Sequence, residues 1–283
     1  MVDMHVVWKR IVKMKFCVKS LYMVITLLCV NDVFSMKDNS YDNIFQQNDS
    51  RVVVVTGNHL PKEVESLDTK ELYIEKKGKP LSQLGTLPET LEVLWVKNVN
   101  LCSVDIWLNR NHQKLPKNLK EVYFFSCCFP KNIFRFDTRH VSGLKNLKKL
   151  VFFGCNFKVI DFETRWDPAP NVEILDFSNN KISDWQTIPY LKNLEELNIS
   201  HNELRNLPKV YEGDHLQTCL QYLGHLKKLD ISHNKIEKLP EYLWLLKSLK
   251  KITIDEYLLN QIPEDRIESF VKNDDQSISV ELR

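Results

Sequence analysis

Leu175-Asp-Phe177-Ser-Asn-Asn180-Lys-Ile182, Leu197-Asn-Ile199-Ser-His-Asn202-Glu-Leu204 and Leu229-Asp-Ile231-Ser-His-Asn234-Lys-Ile236 are three versions of one pattern. In each, two apolar residues flank one polar residue, the alternation of a short strand with one face buried. An Asn then recurs at a fixed offset. A unit repeating on this scale buries its apolar side chains only against its neighbours, so the chain stacks into a solenoid. After the strand the backbone turns inside a narrow coil, and the Asn amide supplies both a donor and an acceptor to peptide groups cut off from water. Leaving such groups unpaired costs roughly 1–3 kcal/mol each.

Degenerate copies fit the same offsets. Leu147-x-x-Leu150-x-Phe152-x-x-Cys155-x-Phe157 and Leu119-x-x-Val122-x-Phe124-x-x-Cys127-x-Phe129 place Cys in the Asn position. Leu91-x-x-Leu94-x-Val96 ends on Val99 and Leu101, Leu72-x-Ile74 is shorter, and Val53-x-Val55-x-x-Asn58-x-Leu60 begins the array. Leu249-x-x-Ile252-x-Ile254 carries Tyr257 where Asn is expected. The pattern L-x-x-L-x-L-x-x-N-x-L resembles the leucine-rich-repeat family, in which Cys substitutes for the ladder Asn. The resemblance implies an α/β solenoid wound as a right-handed coil, with a parallel sheet on the concave face and an irregular or short-helical convex side. The expected structural ladder is Asn58, Cys127, Cys155, Asn180, Asn202 and Asn234, within about eight to nine coils over residues 50–263.

Coil starts at 91, 119, 147, 172, 194, 226 and 249 are 28, 28, 25, 22, 32 and 23 residues apart. The longest coil holds an insertion from about Lys209 to Gly224, where Leu216, Leu220 and Leu223 predict a short helix. Leu87-Pro88, Leu115-Pro116, Leu207-Pro208 and Leu239-Pro240 punctuate the coils, as suits extended returns.

Both ends differ from the repeats. Lys9, Arg10, Lys13, Lys15 and Lys19 precede an apolar run from Leu21 to Val30, which with Val33-Phe34-Ser35 reads as a signal peptide over 1–35, Met14 being an alternative start. The run is shorter than the roughly 20 apolar residues that span a bilayer. Residues 36–49 read as a polar, flexible lead-in. At the other end, 264–283 form a cap: Ile267, Phe270 and Val271 predict one face of a helix over Glu264 to Lys272, and Ser277 to Leu282 an edge strand.

The charge of +2 and 27% charged residues place no dense basic stripe on one face, which argues against nucleic acid as the main partner. Of seven cysteines, five remain if the leader is removed. Cys127 and Cys155 are expected as buried thiols, and Cys102 with Cys128, on neighbouring coils, is the disulfide candidate. Extracellular members of the family commonly close both ends with cysteine clusters, and neither is present. Sequons at Asn48 and Asn198 are glycosylation candidates, the second on an outward strand position.

Outward positions form columns. One runs Tyr73, Trp95, Tyr123, Val151, Asp176, Asn198, Asp230, Thr253; the next runs Glu75, Lys97, Phe125, Phe153, Ser178, Ser200, Ser232, Asp255. The first four coils therefore concentrate aromatics, edged by Glu71, Lys97, Glu121 and Lys149. Apolar surface rimmed by charge marks an interaction site. The predicted ligand-binding patch is Tyr73, Trp95, Lys97, Glu121, Tyr123, Phe125, Lys149, Val151 and Phe153. A register slip of one residue would turn all the aromatics inward. His201 and His233 occupy matching positions, but two imidazoles without a third ligand do not specify a metal site. No catalytic motif and no phosphate-cradling glycine loop is present, so no cofactor is expected. The sequence thus points to a secreted, non-enzymatic module that recognises a protein or peptide, without stable membrane insertion; the alternative is a cytoplasmic adaptor or regulatory subunit.

Overall fold

The alternation of the repeat core becomes a strand of three to six residues with its leucines facing inward, as the burial along Val93–Lys97 illustrates. The computed structural model describes residues 52–55, 64, 68–76, 86–100, 115–136, 144–162, 171–185, 193–207, 223–272 and 277–282. The chain divides into two units, Met1–Val52 and Val53–Arg283. The second holds the solenoid. The predicted leader and lead-in, Asn48, Asn58, Cys102 and the body of the insertion after Lys209 lie outside the described residues.

Nine repeat strands lie in one sheet in the order β1 (Val52–Val55), β2 (Glu71–Lys76), β3 (Val93–Lys97), β4 (Glu121–Phe125), β6 (Lys149–Phe153), β8 (Ile174–Asp176), β10 (Glu196–Asn198), β11 (Lys228–Asp230) and β12 (Lys251–Asp255). From β2 to β12 every pairing is parallel. The register aligns Leu72, Leu94, Val122, Leu150, Leu175, Leu197, Leu229 and Ile252 as one buried column. A second buried column contains Ile74, Val96, Phe124, Phe152, Phe177, Ile199 and Ile231. Its three phenylalanines stack at 5.2 and 5.3 Å between centroids, close to the spacing of neighbouring strands. This is a leucine-rich-repeat solenoid with a parallel sheet and little helix.

Three further strands, β5 (Ile133–Phe136), β7 (Val159–Phe162) and β9 (Asp184–Trp185), pair in parallel as a second sheet on the return side of the middle coils. Later coils instead carry 3-10 turns at Glu241–Leu245 and Glu256–Gln261. No α-helix occurs among the described residues.

The C-terminal helix expected over Glu264 to Lys272 is not formed. A single 3-10 turn, Glu264–Arg266, leads into strand β13 (Ile267–Lys272), which pairs antiparallel with β14 (Ser277–Leu282). The predicted strand over Ser277 to Leu282 exists, but as an internal one: β14 pairs antiparallel with β12 on its other side. Val280 fills the buried column next to Ile252. A hairpin can seal the open end of the last coil and continue the sheet's hydrogen bonding, which a helix laid over it cannot.

Candidate functional site

The turn after each repeat strand from β3 to β11 has one residue in the left-handed region. Asn98, Ser126, Gly154, Asn179, His201 and His233 hold it, with φ between 51° and 64°. A Cβ on Gly154 would meet only ordinary contacts, the nearest being Ser126 Oγ at 3.7 Å, so backbone conformation rather than space favours glycine there.

The next residue is the ladder position. Asn202 Nδ2 donates to the carbonyls of Phe177, Ile199 and Ser200, each at 3.0 Å, while its Oδ1 accepts from Ile182 N at 2.9 Å. Asn180 and Asn234 repeat this set of bonds. Cys127 Sγ lies 3.4 Å from Val96 O and 3.5 Å from Phe125 O; Cys155 Sγ lies 3.5 Å from Phe124 O and Phe153 O. These carbonyls match two of the three that the Asn amides reach, but one weak S–H donor serves both. Burial pushes the Cys127 thiol up to about 12 and that of Cys155 well above its usual range. Cys128 is an exposed free thiol.

In the last coil Tyr257, at the ladder position, turns outward and donates its hydroxyl to Ile236 O at 2.7 Å. Asp255 accepts from His233 N at 2.8 Å, and Gln261 bonds to Leu239 N and Glu237 O. Three different side chains thus close the preceding turn.

The register places Tyr73, Trp95, Tyr123, Val151, Asp176, Asn198, Asp230 and Thr253 in one outward column, and Glu75, Lys97, Phe125 and Phe153 in the next. No one-residue slip occurs. The rings nevertheless do not lie flat toward solvent. Trp95 and Tyr123 stack at 3.8 Å and 3°, Tyr73 and Trp95 at 5.5 Å and 9°, and Phe125 is within 10° of parallel to Trp95 and Tyr123. Their faces cover one another, so Tyr123 is 8% exposed and Phe125 7%; Val151 is 5% exposed. What the site offers outward is ring edges.

Charged groups surround this stack. Glu75 accepts from Asn98 Nδ2 at 3.2 Å and lies 3.7 Å from Lys97 Nζ. The Tyr123 hydroxyl donates to Glu121, and burial together with that carboxylate raises its pKa. Lys149 Nζ sits 5.2 Å from the centre of the Tyr123 ring. Trp95 Nε1 is buried without an acceptor among the described residues.

Beyond Val151 the column is polar. Asp176, Asn198 and Asp230 each accept from the backbone N–H of the Ser two residues on, at 2.7, 3.0 and 3.1 Å, and Asn198 Nδ2 donates to Asp176 Oδ2 at 3.1 Å. Burial raises the pKa of both aspartates. The Asn198 amide that a glycan would use is therefore engaged in the sheet. His201 and His233 stack at 4.0 Å and 14°. Parallel imidazoles aim their lone pairs side by side rather than at a common point, which does not suit chelation. Among the described residues no group of three or more His, Cys, Asp or Glu could hold a metal ion.

Sequence reasoning missed a second ladder where the chain enters each strand. Asn118 Nδ2 donates to Glu89 O, Asn146 Nδ2 to Lys117 O, Asn171 Nδ2 to Lys145 O, and Asn193 Nδ2 to Asn171 Oδ1, at 3.0–3.2 Å. Its signal was an Asn directly before the first Leu or Val of four successive coils.

Comparisons with known proteins agree with the repeat pattern. Residues 170–211 match the family described as leucine-rich repeats in two copies, and 225–246 the single leucine-rich repeat. No match exists among curated proteins. Among solved structures, InlP of Listeria monocytogenes is 13% identical, with 82% of this chain and 78% of that one covered, at a TM-score of 0.42. A leucine-rich-repeat protein of Leptospira interrogans is 22% identical, with 70% and 57% covered, at a TM-score of 0.34.

Proposed function

We propose that this leucine-rich-repeat protein is a secreted, non-enzymatic module that recognises a protein or peptide through the aromatic half of its concave face. Domains of this type are generally protein-binding modules and typically non-enzymatic. Among the described residues no helix is long and apolar enough to cross a membrane. The observation that carries the reading is the register of Tyr73, Trp95, Tyr123 and Phe125, which gathers four rings on adjacent strands, outside the leucine core. Edge-on rings favour a peptide: sugars and nucleobases stack on faces, and these faces are already occupied. Interlocked aromatics also lose little freedom when a partner arrives, which favours affinity.

The test is Tyr123→Ser combined with Phe125→Ser, checked by circular dichroism for an intact fold, in pull-downs alongside Asp230→Ala with Ser232→Ala. Loss of partners in the first variant alone supports the aromatic half; loss in the second alone moves the site to the polar half. The free thiols of Cys127, Cys128 and Cys155 favour a second reading, a cytoplasmic adaptor. N-terminal sequencing of protein from the medium separates the two, since a cytosolic product retaining Met1 would reject secretion.

A further inference from the structure

We propose that the aromatic patch receives an extended segment of a partner protein with an acidic residue at the β6 end, and that Lys149 is the anchor for that carboxylate. The inference rests on the concave-face reading and adds the chemistry of the partner. Lys149 lies on β6, across β4 from the strand of Trp95, with its ammonium 5.2 Å from the centre of the Tyr123 ring. The hydrogen bonds of the neighbouring carboxylates go to other groups: Glu121, its register partner, accepts from the Tyr123 hydroxyl. Asp176 on β8 is the next acid along the column; its two oxygens accept from Ser178 N and Asn198 Nδ2, and Lys149 acts on it through space, favouring its ionised form, rather than as an ion pair in contact. Lys228, the counterpart of Lys149 on β11, is by contrast matched with Glu196 at 2.6 Å. The ammonium of Lys149 therefore has an aromatic face as its close partner and no carboxylate within ion-pair distance among the described residues.

The rest of the patch makes the same demand. Aromatic edges carry the positive end of the ring quadrupole. Trp95 Nε1, within the stack, is a buried donor with no acceptor among the described residues. Edges, indole N–H and ammonium all seek electron-rich groups. Glu71, on β2, lies three strands from Lys149 and disfavours an acid at that end, which fixes the direction of the segment. The span from β3 to β6 is two strand spacings, about 10 Å, or roughly three residues of extended chain.

The experiment uses the full chain and fluorescein-labelled short peptide pools, random in Leu, Ala, Ser and Gly around a central Asp, Asn or Lys, read by fluorescence anisotropy. The Asp pool is expected to bind about tenfold more tightly than the Asn pool at low salt, with the preference shrinking at high salt. Lys149→Met should bring the Asp pool down to the Asn level, while Trp95→Phe weakens both pools alike. Equal binding of Asp and Asn pools, an Asp preference that survives Lys149→Met, or no binding of any pool would overturn the proposal. If all pools bind equally and Tyr123→Ser with Phe125→Ser abolishes binding, the anchor fails while the concave-face reading stands. An Asp preference that needs Lys149 but survives the double Ser variant supports the anchor and rejects the aromatic stack.

Discussion

Coils before and after Val172 make the same turn with different chemistry. In the later coils Asn180, Asn202 and Asn234 satisfy the turn through a four-bond amide, and the outward column is Asp, Asn and Asp braced by the following serines. In the earlier coils Cys127 and Cys155 leave the turn to a single weak donor, Phe124 and Phe152 stack in the inner column, and aromatics occupy much of the outward one. Cohesion has moved from directional hydrogen bonds to ring stacking. A stacked half can expose apolar edges without loosening, whereas a half held by buried amides has its polar groups already occupied.

The largest effect should come from breaking the amide ladder. Asn202→Leu removes three donated bonds and one accepted bond in a buried turn, and each stranded group costs roughly 1–3 kcal/mol. Urea unfolding should show a fall of at least that size. A neutral result would mean that turns in the later coils are held no more tightly than those built on cysteine.

Cys155→Ala sharpens the contrast from the other side. It deletes one small buried group and a weak donor, so a loss of about 1–2 kcal/mol is expected, clearly less than for Asn202→Leu. Alkylation followed by peptide mapping should label Cys128 in the native protein and reach Cys127 and Cys155 only on unfolding, because both are buried and their thiolates disfavoured.

The buried carboxylates of the later coils should respond to pH with a definite sign. Burial raises the folded-state pKa of Asp230 above its unfolded value, so ionisation opposes folding at neutral pH, and that penalty disappears as pH falls through the folded value toward about 3.9. Asp230→Asn keeps an acceptor for Ser232, as Asn198 does for Ser200. It should therefore be more stable than the parent at pH 7 and equal to it near pH 3 in thermal melts. A variant less stable at pH 7 would show that the charge is needed in the column.

How much of this was legible follows from which side chains obey the repeat. The strand cores and their register were readable because Leu-x-Leu alternation fixes one face inward, and even the weak copies at Leu94 and Val122 align residue for residue. The ring stack was placed correctly on the sheet, but its near-burial was not foreseeable, because pattern gives the face of a side chain and not its tilt against a neighbour. The second sheet was missed: Ile133–Phe136 and Val159–Phe162 pair on the return side, where coil lengths vary and no fixed offset marks them. At the C-terminus, Ile267, Phe270 and Val271 sit at helical spacing, yet three positions are too few to outweigh a strand partner such as β14.

The smallest expected effect probes the ladder shared by both halves. Asn171 donates to Lys145 O and accepts from Asn193, linking three coils across the boundary at an exposed edge. Water can replace both bonds, so Asn171→Ala should lose only about 0.5–1.5 kcal/mol. Hydrogen exchange would show where the loss falls. If opening increases equally around Val151 and Ile199, the entry ladder ties the two halves into one cooperative stack. If it is confined to one side, the change of chemistry at Val172 also marks a boundary between separately opening segments, as nearest-neighbour coupling in a solenoid allows.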